Sequence, residues 1–98
     1  MDNEKLLRTL RSVGFGCFVE YYELFGDEGL ESSDIAKRIR REKNYSENTC
    51  RSRTSSARTI IRSGNGGRAL RIIVNATHKL VGEETREKAQ RLLNQGVV

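Results

Sequence analysis

Along most of this chain, apolar side chains recur at the three- and four-residue spacing of a helix face, and no sustained alternation of the kind that marks half-buried strands is present. Leu6, Leu7, Leu10 and Val13 outline a first helix that Asp2 or Asn3 can cap. Gly14-Phe15-Gly16 interrupts it, and the pattern resumes as Phe18, Tyr21, Tyr22, Leu24 and Phe25. Glycine costs about 1 kcal/mol inside a helix, so the helix bends or breaks at this point, or another helix crosses it closely. The aromatic run reads as a core face, with a dimer seam as an extension of that role. A base-stacking platform is the alternative, but Glu20 and Glu23 beside it would repel phosphates. Gly26-Asp27-Glu28-Gly29 then reads as a turn.

Ser32 and Ser33 offer N-caps for a short helix whose buried edge is Ile35, Ala36 and Ile39. Asn44-Tyr45 connects it to a long helix that opens with Ser46 as N-cap and Glu47 in the first turn. Here Cys50, Thr54, Ala57 and Ile61 form one thin apolar stripe, while Arg51, Ser55, Arg58 and Arg62 form a basic, hydroxyl-bearing stripe, with Arg53 between them. Gly64-Asn65-Gly66-Gly67 ends this helix. Residues 68–74 could form a strand of a winged helix. The helical period of Ala69, Leu70, Ile73, Ala76, Thr77 and Leu80, with no second β-rich run to pair with, argues for another helix. Ala89, Leu92 and Leu93 place a last amphipathic helix after Gly82, followed by a frayed tail. The expected fold is all-α: a small single domain, residues 1–98, with helices near 3–25 (broken or bent at the first glycines), 33–42, 46–63, 67–80 and 83–94.

Charge sharpens this picture. Residues 1–34 carry three bases against eight acids, residues 35–71 eleven against two, and residues 72–98 four against three. Nothing acidic follows Glu47 until Glu83. A solvated helix face normally mixes both signs, so a basic middle third points to a polyanion. Anionic membrane suits it poorly, because residues 35–63 lack the Trp, Phe and Leu of an interfacial helix, and no segment approaches a membrane span.

The sequence S-x-D-I-A-x-x-I from Ser32, a short polar turn and a capped Arg-rich helix resemble a helix-turn-helix of the DNA-binding kind over residues 32–63. The small Ala36 resembles the residue that lets the two helices approach. The resemblance implies binding of double-stranded DNA. Asn48, Arg51, Arg53, Ser55 and Arg58 would face the groove, and Lys37, Arg40, Arg41, Lys43 and Arg62 would neutralise phosphates. Two alternatives stay open: an RNA-binding small subunit of a ribonucleoprotein, and an interaction module whose basic face docks an acidic protein. A homodimer is compatible with each.

Motifs of catalysis are lacking. His78 has no cysteine or carboxylate at ligand spacing, Gly64 to Gly67 lacks the G-K-[ST] ending of a phosphate loop, and no G-x-S-x-G elbow occurs. Glu20 and Glu23, at i and i+3, are a common helical coincidence. The chain is expected to be no enzyme and to need no cofactor. Cys17 and Cys50 fall on apolar registers in no C-x-x-C pattern, so they are expected to be buried, reduced thiols of a cytoplasmic protein.

Overall fold

A computed structural model describes residues 1–76 and 81–96. Among these residues seven helices follow in order: α1 (Asn3–Val13), α2 (Phe15–Glu20), α3 (Tyr22–Phe25), α4 (Ser32–Glu42), α5 (Glu47–Arg62), α6 (Gly66–Val74) and α7 (Glu83–Asn94). No strand occurs among the described residues, so the stretch after Gly64 is the helix α6 and not a wing. The all-α expectation holds. The part of the expected 67–80 helix beyond Ala76, and with it His78, lies outside the described residues, as does the end of the tail.

The expected first helix is in fact three. Asp2 caps α1 by accepting from the Lys5 amide at 2.7 Å. At the other end Gly14 takes φ +91°, a conformation that suits glycine, and its amide closes onto the Leu10 carbonyl at 2.9 Å. A side chain there would also strike Arg53, whose Nη1 lies 2.8 Å from the position of an added Cβ. Gly14→Ala is therefore expected to destabilise the domain by roughly 1–3 kcal/mol through backbone strain alone. Thermal unfolding of the variant within error of the parent would show that the joint can relax. Tyr21 makes the second break, between α2 and α3.

The aromatic run is core, as its spacing suggests. Phe18 packs edge-on to Tyr22 at 5.4 Å between ring centroids and stacks on Phe25 at 6.5 Å. Phe18, Tyr21, Tyr22 and Phe25 are all buried. The Tyr21 hydroxyl donates to Glu42 at 2.9 Å. Arg38 first, and then this hydroxyl, hold the Glu42 carboxyl below its ordinary range.

Helix α5 is the axis of the molecule: α1 and α4 pack along it, and α3 and α6 touch it as well. Helix α7 closes the far side against α6 and α2. The radius of gyration is 12.4 Å, what a single compact unit of about 100 residues should have. Because several helices cover α5, it is buried over an arc rather than a stripe. Cys50, Thr54, Ala57, Arg58 and Ile60 point inward, and Ile61, expected on the apolar stripe, is only half covered near the C-terminal end. Thr54 is tolerated because its hydroxyl donates to the Cys50 carbonyl at 2.8 Å. Both cysteines are buried and unbonded. Burial raises the Cys17 thiol above its ordinary pKa, with Arg53 pulling the other way.

Candidate nucleic-acid interface

Ser46 caps α5 as expected, accepting from the Thr49 amide at 3.2 Å. From that fixed start, one full face of the helix reaches solvent: Asn48, Arg51, Ser52, Ser55, Thr59 and Arg62. On α4, the inward set Ile35, Ala36 and Ile39 leaves Lys37, Arg38, Arg40 and Arg41 outside.

The two helices meet in a cleft of about 170 Å³. Ser33, Lys37 and Arg40 line one wall at i, i+4 and i+7 of α4, Glu47 and Arg51 line the other, and the small Ala36 and Cys50 form the floor. A shallower depression continues it past Ser32, Ser52 and Ser55, sharing Ser33 and Arg51. Another runs on to Arg41, sharing Lys37 and Arg40. The three form one strip of cations and hydroxyls. Among the described residues no carboxylate comes within ion-pair distance of Lys37, Arg41 or Arg51. Arg40 pairs only loosely, at 3.8 Å, with Glu47.

Of the residues the sequence nominates, Lys37, Arg40, Arg41, Arg51 and Ser55 lie on this strip, and Asn48 lies on the same exposed face of α5. Ser33 and Ser52 join them unforeseen. Ser33 reads as a helix cap, yet the N-cap position belongs to Glu31 and Ser33 is free to line the cleft. Ser52 is adjacent to Arg51 and could have been found by extending the exposed arc one residue.

Arg58 is the main correction. Expected to face the groove, it is 2 % exposed. Its Nε donates to the Phe25 carbonyl at 3.0 Å, Nη1 to Ser32 Oγ at 3.0 Å, and Nη2 to the carbonyls of Asp27 at 2.6 Å and Leu30 at 2.8 Å. Four of the five donors of a guanidinium are thus satisfied inside the protein. Arg51 and Arg58 are seven residues apart and nearly eclipsed on the helix. Their fates differ because the 26–31 loop and the start of α4 cover only the C-terminal half of that line.

Three other nominated cations are engaged elsewhere. Arg53 donates through Nη1 to the Val13 carbonyl at 2.8 Å, at the C-terminal end of α1, and its guanidinium lies 4.5 Å from the centre of the Tyr45 ring. It is half-buried and ties α1 to α5 and the connector, so it is not on the strip. Lys43 reaches Glu20 at 2.9 Å, and this partner raises its pKa. Arg62 faces Glu28 through Nε at 3.3 Å and Nη2 at 3.4 Å. Acids of the first third thus neutralise Lys43 and Arg62, at the C-terminal ends of α4 and α5, and among the described residues leave Lys37, Arg41 and Arg51 without one.

No helix among the described residues is long and apolar enough to cross a membrane. No protein-family model matches this chain, and no curated protein or solved structure matches it either, so its own residues alone carry the functional reading.

Proposed function

We propose that this chain is a small nucleic-acid-binding domain that grips double-stranded DNA with the α4–α5 strip, α5 serving as the reading helix of a helix-turn-helix. The observation that carries the proposal is the continuity of Lys37, Arg40, Arg41 and Arg51 with Ser33, Ser52 and Ser55 across two helices held at one cleft. Lysines and arginines neutralise phosphates, and short hydroxyl side chains bond either phosphates or base edges. A duplex suits the strip better than a single strand, because single-strand grooves rely on stacking aromatics and here Phe18, Tyr21, Tyr22 and Phe25 are interior. B-form DNA suits it better than duplex RNA, whose major groove is too deep and narrow for a helix to read.

The test is a salt titration on labelled random duplex DNA, run beside duplex RNA and polyaspartate. Lys37, Arg40 and Arg41 on phosphates, with Arg51 as a fourth where it does not read a base, should give a log–log slope of about −3 to −4 on B-DNA. Tighter binding to the RNA duplex would transfer the strip to RNA, and equal binding to polyaspartate would transfer it to an acidic protein partner.

A further inference from the structure

Among the described residues Glu47 is the only acid lining the strip, and its position calls for a reason. A surface that needed only to hold phosphates would be better without it, since a carboxylate among Lys37, Arg40 and Arg51 repels the polyanion those cations attract. Helix capping does not require it either. Ser46 already supplies the side-chain cap, bonding the Thr49 amide at 3.2 Å and donating to the Thr49 hydroxyl at 2.8 Å. Its charge at the first turn suits the helix dipole, but the carboxylate itself is not held in place. Its contact with Arg40 is long, 3.8 Å, and the two side chains are 65 % and 58 % exposed, the kind of surface pair that contributes little. Glu47 therefore stands at the first turn of α5, accessible and separable from its only ion-pair partner among the described residues.

Resting on the reading of α4–α5 as a duplex-DNA grip, we propose that Glu47 is a specificity-determining residue: it accepts from the exocyclic amine of a cytosine in the major groove, and it penalises every duplex that offers no such donor. The chemistry is restrictive. Among the major-groove edges, cytosine presents an amine donor with no adjacent purine N7 acceptor, and carboxylates pair with it. Arg51 follows one turn later on the same side of the helix, where its fork can take the O6 and N7 of a guanine. The pair then reads a short G·C-containing step, attraction coming from Arg51 and rejection from Glu47. Specificity commonly needs such a repulsive element as well as an attractive one.

The experiment selects bound sequences from a duplex pool randomised over its central positions, using the parent, Glu47→Gln and Glu47→Asp. All three are also titrated on the unselected pool and melted thermally. The parent should prefer cytosine at one position by about tenfold. Glu47→Gln should lose that preference and bind the unselected pool more tightly. Glu47→Asp keeps the charge at the helix start, so it should melt with the parent and bind the pool no better, yet blur the cytosine because its carboxylate is withdrawn by one methylene. If the parent selects a sequence and both variants keep every base preference, Glu47 is merely a first-turn acid and the assignment is overturned. If the parent binds the pool with no base preference, the assignment falls while the duplex-DNA reading stands. Failure of the parent to bind duplex DNA at all would remove both.

Discussion

Arg58→Ala is expected to destabilise the domain by about 3 kcal/mol or more, enough to unfold it at moderate temperature. The guanidinium donates to the Phe25, Asp27 and Leu30 carbonyls and to Ser32 Oγ, and alanine removes all four bonds, leaving the buried Phe25 acceptor and the part-buried Leu30 carbonyl without a partner while Asp27 keeps its bond from the Leu30 amide. Each unsatisfied buried group costs about 1–3 kcal/mol, less where water can enter as the loop relaxes. Arg58→Lys keeps the charge but offers three donors on one atom, which cannot span acceptors arranged around a planar fork. It should fall between parent and alanine variant. Urea unfolding of the three proteins measures this. A midpoint for Arg58→Ala within about 0.5 kcal/mol of the parent would mean that water replaces the side chain. Any loss of DNA binding in these variants should track the folded fraction.

Arg51→Ala should show the opposite pattern. Arg51 is exposed, borders two of the three parts of the strip and lacks an ion-pair partner among the described residues, so its removal should shift stability by less than about 0.5 kcal/mol. On the preferred sequence, affinity should fall by about 1–3 kcal/mol, with relaxed choice at one base pair, if the fork reads guanine. If it holds a phosphate instead, all sequences weaken alike and the salt slope flattens by about one. Titrations on selected and random duplex at two salt concentrations separate the cases. Parent-like binding of Arg51→Ala on both duplexes would remove α5 as the reading helix.

The contrast between these arginines marks how far the sequence could be read. Helix class, the aromatic core, the Ser46 cap and the inward faces of α1 and α4 followed from period and capping chemistry, which are local. The width of the buried arc on α5 did not, because it depends on how many neighbours surround that helix. Arg51 and Arg58 share a register, and only the path of the 26–31 loop distinguishes them. Arg53 was similarly opaque: its partner is a backbone carbonyl 40 positions earlier, and carbonyls carry no sequence signature. The same holds for Lys43 and Arg62. Their opposite charges were visible in the acidic first third, but which acid meets which base is decided by packing.

The 26–31 loop is exposed at Gly26, Asp27, Glu28 and Gly29, bears glycines and acids, and would ordinarily be chosen for grafting a tag or tolerating an inserted residue. Here two of its backbone oxygens, those of Asp27 and Leu30, join the Phe25 carbonyl and Ser32 Oγ around a cation, much as the oxygens of a crown ether gather round potassium. A ring of that kind has a fixed circumference. One added residue would move the Asp27 and Leu30 carbonyls out of reach of the same guanidinium, so this surface loop should tolerate length changes as poorly as a metal-binding loop does.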